Sequence, residues 1–327
     1  LGSGLTAFWL ITLLLSTPEM KKDKIAKHAN LIAFLAALIF LSHPLQTESV
    51  TLIFQRASCL AGFFYILSIC LYLKSRILNE EGKPASKWAG LYIFSWASVL
   101  AAMLSKENTV ALPLMIILCE LCFFKTGKRI KWRYALPFLI ILPLIPILLF
   151  YTKTVISKDM GRLTLQPVNE WYYFLTQFRA MITYIRLSFI PINQNIDYDY
   201  PIVSSPFDLP ALASLFALIV VVVAAFKLFK RYRLISFSIF WFFLTILPES
   251  SLIHLKEDII YEHWLYLPLF GYGLFLVSVA YYLFGKSFLK TMVSMLLVII
   301  ACYSVLTYNR NLVWKDELTL WNDTIQK

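Results

Sequence analysis

Residues 31–73 read LIAFLAALIFLSHPLQTESVTLIFQRASCLAGFFYILSICLYL. Two apolar runs, 31–42 and 57–73, flank a polar junction at 43–56. The junction places an imidazole, a carboxylate and a guanidinium beside a helix-ending proline. Runs of this length suit helices that cross a bilayer, and an ionised side chain at the bilayer centre costs at least ~2.5–3.5 kcal/mol. The junction therefore belongs at a membrane face, where water, a partner or a polar ligand compensates its charges.

The pattern recurs along all 327 residues, which are 59% hydrophobic and only 15% charged. Soluble chains carry about 25% charged residues. The runs predict an all-α, polytopic transmembrane helical bundle of about ten spans: 5–16, 29–45, 57–73, 88–104, 109–124, 134–151, 209–226, 234–247, 264–283 and 291–308. The alternating pattern of a membrane barrel is absent. Between the sixth and seventh spans lies a long outer segment, 152–210. Within it, 171–192 carries Arg179 and Arg186 on one helical face and is expected as an interfacial or re-entrant helix.

A net charge of +11 would suit nucleic acid, but its distribution excludes that partner. Lys and Arg concentrate in the short connections 21–27, 74–87, 125–133, 227–233 and 286–290. These are alternate connections, the arrangement expected of cytoplasmic loops. Most acidic residues then fall on the opposite face, which either forms a polar cavity or simply has longer loops. The five cysteines show no disulfide framework. Cys119 and Cys122 form a CxxC inside an apolar run, where core packing outweighs zinc or redox chemistry. The chain opens on Leu1 without a basic leader, so it reads as an interior piece of a larger protein.

Four clusters on the acidic face hold the candidate site residues. His43, Glu48 and Arg56 come first. A helix from Glu48 to Arg56 would put both on one face, two turns apart; a capped helix end with snorkelling side chains is the structural reading. Lys106 and Glu107 follow in SKEN, either as a solvated corner or turned into the cavity. Third, Arg162 precedes the aromatic helix, and Asp197 and Asp199 alternate with tyrosines in PINQNIDYDYP. Such alternation suits a carbohydrate or lipid-headgroup surface. A lone DxD can also hold a divalent metal, although an Asn/Asp/Pro-rich turn is the plainer reading. Last, Glu262 and His263 stand directly before a span, where a helix N-terminus favours anions. There, Trp264 and Tyr266 also read as simple membrane anchors. No phosphate-binding Gly-rich loop, HExxH or dinucleotide fingerprint occurs. GYG at 271–273 lacks the sequence around a potassium filter.

Taken in order, HPLQTESV with QRAS, SKEN, RLT with YIRLSFIPINQNIDYDY, YEHWLYLPLFGYG and RNLVWKDELTLW resemble the transmembrane and tetratricopeptide-repeat O-mannosyltransferase family, particularly its bacterial relatives. The resemblance covers nearly the whole chain. It implies a C-type membrane glycosyltransferase fold over 1–308 and a lead-in at 309–327 to outer tetratricopeptide repeats. It also implies a polyprenyl- or dolichyl-phosphate sugar donor and a Ser/Thr hydroxyl of a protein as acceptor; no cofactor beyond the lipid-linked sugar is assigned, and a divalent metal is the lesser alternative. That family carries an acidic pair in its first outer loop, so the first span, that loop and the catalytic acids are expected upstream of Leu1.

Transfer from a lipid phosphate needs a base, stabilisation of the oxocarbenium-like centre and a grip on the departing phosphate. His43, Glu48, Glu262 and His263 are the catalytic candidates. Arg56, Lys106 and Arg162 are assigned to the phosphate, because guanidinium and ammonium groups bind it well. Glu107, Asp197 and Asp199 are assigned to sugar or acceptor. The expected setting is a bacterial inner membrane, or the endoplasmic reticulum membrane in a eukaryote, with the active face periplasmic or lumenal. A transporter, a non-enzymatic anchor displaying repeats, or an enzyme glycosylating lipid or glycan are the rival classes. A transporter predicts matching broken spans in two halves, and no internal duplication is visible.

Overall fold

The computed structural model describes residues 1–124, 131–143, 170–250, 259–285 and 288–327. Among the described residues all regular structure is helical. The α-helices are α1 (Gly2–Leu15), α2 (Ala29–Ser42), α3 (Gln46–Thr51), α4 (Arg56–Glu80), α5 (Ala85–Ser105) and α6 (Leu112–Phe123). They continue as α7 (Glu170–Phe189), α8 (Leu209–Leu228), α9 (Arg233–Ile246), α10 (Pro268–Phe284), α11 (Leu289–Val313) and α12 (Glu317–Ile325). Among the described residues five helical segments are long and apolar enough to cross a bilayer: Lys24–Ser42, Ile53–Glu80, Ala85–Ser105, Leu209–Leu228 and Leu289–Val313. Four shorter apolar helices accompany them. On α8 a stripe of exposed Phe216, Ile219, Val220, Val223 and Phe226 faces outward, as a lipid-facing surface requires.

The bundle is organised around α10, which packs on α2 and α9. Two glycines allow the close approach. A Cβ on Gly271 would meet the Ser238 carbonyl oxygen of α9 at 2.8 Å, and one on Gly273 would meet that of Ala36 on α2 at 2.9 Å. Small residues at such crossings are the usual device of membrane helix packing. The GYG motif is thus a packing element. Trp241 closes the same interface from α9, its indole N–H donating to the Leu267 carbonyl at 2.9 Å.

Several boundaries differ from the sequence reading. The third run extends to Glu80, two turns beyond residue 73. The fifth begins as a 3-10 turn, Glu107–Ala111, before α6 starts with Pro113 in its first turn. The sixth is represented by 3-10 turns at Trp132–Tyr134 and Leu136–Ile141, with Pro137 at the start of the second; its remainder lies outside the described residues. Helix α11 continues past residue 308 to Val313.

The basic connections gather at the far end of α4. Lys21 approaches Glu81 at 3.7 Å, Arg233 meets Glu19 at 2.8 Å, and Lys131 meets Glu80 at 3.0 Å. Arg76, counted among loop charges from the sequence, is instead buried in α4. Its Nε and Nη2 grip both oxygens of Glu120 on α6, at 2.5 and 3.1 Å, and Tyr72 donates to the same carboxylate at 2.8 Å. Removing one member of such a pair strands a buried charge. Glu120→Ala is therefore expected to cost about 3–5 kcal/mol. Arg76→Met with Glu120→Leu is expected to restore most of it, as measured by thermal unfolding in nanodiscs.

Candidate functional site

At the other end of α4 the junction chain folds inward. Helix α2 stops at Ser42, because Pro44 holds His43 in extended conformation (φ −71°, ψ 128°). The short α3 then buries Gln46, Thr47, Glu48 and Ser49. Leu52 is again extended before a 3-10 turn, Ile53–Gln55, leads into α4. This break overturns the expected continuous helix from Glu48 to Arg56. Glu48 turns inward, whereas Arg56 is exposed and donates to the Val50 carbonyl at 3.3 Å. Arg56 lies instead on a groove of about 540 Å³, whose walls include Phe40, Leu41, Leu60, Phe63 and Tyr266.

Glu48 meets the segment before α10. His263 Nδ1 stands 2.6 Å from Glu48 Oε1, and the His263 backbone N–H donates to Oε2 at 2.8 Å. The positive start of the 3-10 turn Glu262–Leu265 thus faces a carboxylate from this same chain. Both side chains are buried, 3% and 4% exposed. Burial pushes the Glu48 carboxyl from its ordinary 4.5 up to about 7, against the pull of that N–H, Lys106 and Arg310. When Glu48 is ionised, the imidazole donates from Nδ1, which fixes the tautomer with its lone pair on Nε2.

Glu262 is the second buried acid. Its Oε1 accepts from the Asn195 backbone N–H at 2.9 Å and from the Tyr198 hydroxyl at 2.7 Å, and its Oε2 accepts from Gln194 Nε2 at 3.0 Å. The loop reaches it because Asn193 adopts the left-handed region (φ 55°), which asparagine tolerates better than branched residues. Burial raises Glu262 to about 7; Arg310 opposes the rise and the neighbouring Glu48 charge adds to it. The two acids therefore sense one another.

The remaining candidates sort around this pair. Lys106 turns inward and donates to Ser58 Oγ at 2.7 Å and Gln55 Oε1 at 3.3 Å, and its charge acts on Glu48. Glu107 is half-buried at the start of the following 3-10 turn. His43 is a joint between elements: its Nε2 lies 2.9 Å from the Ser188 carbonyl of α7, and Nδ1 accepts from the Leu45 N–H at 3.3 Å. Burial lowers its pKa to about 4, so the ring is neutral at pH 7. Asp197 and Asp199 are exposed on a polar pocket of about 910 Å³, whereas the alternating Tyr198 and Tyr200 turn toward the protein. Among the described residues no cluster of three or more His, Cys, Asp or Glu is placed to hold a metal. Arg162 lies outside the described residues.

Gln194, Asn195, Tyr198 and Arg310 were not singled out from the sequence as site residues. The alternation in NIDYDY, with every second residue inward, was the available sign for Tyr198. For Arg310 it was a lone guanidinium near the end of an apolar run.

Among the described residues the frame is all-helical, with five segments apolar enough to cross a bilayer, and it holds a buried glutamate–histidine pair beside a second buried glutamate. The chain is similar to named protein O-mannosyl-transferases. A protein O-mannosyl-transferase of Caenorhabditis elegans, F38B6.6, is 25% identical over 301 residues, 89% of this chain and 40% of its own length. Human protein O-mannosyl-transferase TMTC4 is 38% identical over 96 residues, 29% of this chain and 12% of that protein. Human TMTC2 is 33% identical over 104 residues, 32% and 12% respectively. The chain thus spans at most two fifths of these relatives. No family model and no solved structure matches the chain significantly.

A carboxyl whose pKa rises on folding destabilises the fold once pH exceeds its unfolded value, and for Glu262 that cost develops from about 4.5 to about 7. His43 acts oppositely, costing stability as pH falls from 6.5 toward about 4. Tyr198→Phe removes one donor to the Glu262 carboxylate. The stability lost between about pH 5 and about pH 8 is expected to grow by about 1–2 kcal/mol. Unfolding curves at both pH values read this directly, and an unchanged slope would contradict the assignment.

Proposed function

We propose that the chain is the membrane portion of a glycosyltransferase that moves a mannose-like hexose from a polyprenyl- or dolichyl-phosphate donor to Ser/Thr hydroxyls of proteins. The observation that carries this reading is the buried Glu48–His263 pair, held beside Glu262 at the end of the bundle away from the basic connections. The names of the relatives, protein O-mannosyl-transferases, support the sugar and the protein acceptor. The positive-inside pattern supports an active face on the periplasmic or lumenal side of a bundle of about ten spans.

His263 Nε2 accepts the proton of the acceptor hydroxyl, while Glu48 holds Nδ1–H and stabilises the imidazolium that forms. The hydroxyl oxygen bonds to the sugar's anomeric carbon as the bond from that carbon to the phosphate oxygen breaks. The electron pair leaves with the phosphate. The largely apolar groove beside Arg56 suits a polyprenyl chain, with Arg56 on its wall and Lys106, held against Ser58 at the start of α4, drawing the phosphate inward. Glu262, fixed by three donors, supports the positive charge that develops on the sugar. Asp197 and Asp199 face the polar pocket through which a hydrophilic acceptor approaches.

Because Glu48 must be ionised, turnover is expected to rise with pH through about 7. Glu48→Gln is expected to lower the turnover rate at least about 100-fold and to abolish that limb of the profile. Sugar transfer from a radiolabelled lipid donor to a Ser/Thr peptide measures both; wild-type turnover in this variant would end the assignment. In the same assay Arg56→Ala is expected to raise the donor KM about ten-fold with little change in turnover rate.

A further inference from the structure

Arg310 is 6% exposed, yet among the described residues its Nε and Nη2 have no hydrogen-bond partner, while Nη1 donates to Asp323 of α12 at 2.7 Å. The unpartnered pair is the side-on edge of the guanidinium. In the same molecule, that edge of Arg76 grips both oxygens of Glu120. An edge of this kind is a two-oxygen receptor, and burying it unfilled is costly. Four residues on, the Trp314 indole N–H is also buried without a partner. Spacing of four places it on the same helical side as Arg310.

The acids nearby do not fill this edge. Both oxygens of Glu262 accept from Asn195, Tyr198 and Gln194, and both oxygens of Glu48 accept from His263. Asp323 takes Nη1 and Lys327. Arg310 is nevertheless close enough for its charge to act on Glu48, Glu262 and Tyr198. Helix α11 is tied to the junction by Thr51, which donates to Asn311 Oδ1 at 3.1 Å. The fork therefore lies within electrostatic reach of the candidate site, and among the described residues no acceptor fills it.

We propose that the Nε/Nη2 edge of Arg310 is a phosphate-binding site, receiving two oxygens of the group while the Trp314 indole N–H faces a third. A tetrahedral phosphate presents that third oxygen, which a planar carboxylate lacks. That the phosphate is carried by a polyprenyl lipid rests on the reading of the donor above. In that reaction Arg310 receives the leaving phosphate beside the Glu48–His263 pair, and α12 positions Arg310 through Asp323.

The test uses the full chain in nanodiscs, with binding of decaprenyl phosphate, decaprenol and inorganic phosphate followed by native mass spectrometry. Wild type is expected to bind decaprenyl phosphate in preference to decaprenol. Arg310→Lys, which keeps a charge for Asp323 but loses the fork, is expected to weaken decaprenyl phosphate about ten-fold, and Arg310→Gln at least as much. Decaprenol binding should be unaffected in both. Equal decaprenyl phosphate affinity in wild type and both variants, or a parallel loss for decaprenol, overturns the proposal. Binding of inorganic phosphate alone, lost in Arg310→Gln, would keep the fork as a phosphate site and overturn the lipid as its carrier. Sugar transfer separates the two readings. Arg310-dependent phosphate binding without any transfer by wild type would sink the enzyme reading alone, whereas undiminished transfer by Arg310→Gln would sink the phosphate site alone.

Discussion

The contact between Glu48 and His263 joins segments 215 positions apart and sets the geometry of everything around it. A carboxylate buried on its own would cost several kcal/mol and would take up a proton instead. Here the start of the Glu262–Leu265 turn offers backbone N–H groups and an imidazole to it. The short α3 exists to deliver Glu48 to that turn, and Pro44 exists to end α2 in time for α3 to form. If the contact were broken, the Glu48 carboxyl would be buried without its two partners from His263.

Two acids within each other's field are harder to ionise together than apart. The chain answers with positive charge from two directions, Lys106 from just past the end of α5 and Arg310 from the end of α11. The balance leaves both carboxyls near neutrality, where a proton can be gained or lost without a large penalty. His43 plays a different part. With one ring nitrogen on a carbonyl of α7 and the other accepting a backbone N–H, it is a bolt between helices, packed edge-on against Tyr272 and Tyr303.

Much of the frame was legible because hydrocarbon enforces it: long apolar runs and alternating charged connections survive any detail of packing. Glu48, Glu262, His263 and Lys106 were also legible, since ionisable groups between apolar runs demand a reason. What periodicity missed was local. The extended Leu52 separates Glu48 from Arg56, and no count of residues between them announces that break. Nor does sequence distinguish an arginine in a loop from one in the last turns of a helix. Arg76 read as a loop charge and is a buried pair; Arg310 read as part of a tail and reaches the site. Both errors have one cause, because arginine's long stem lets a guanidinium sit far from where its backbone composition places it.

Those two arginines also separate support from function. At the basic end, Arg76 is closed on every side: Glu120 takes its fork, Glu80 takes Nη1 at 3.1 Å, and the rings of Phe124 and Tyr134 lie within 4.8 Å of the guanidinium carbon. Such saturation leaves nothing for a ligand and gives α4 and α6 one relative position. At the acidic end, Arg310 is buried to a similar degree but has one carboxylate and an unfilled fork. At the basic end the same edge is filled by a glutamate of this chain. Leaving it unfilled beside two acids poised near pH 7 makes sense where an anion must arrive, be held through one chemical step and depart.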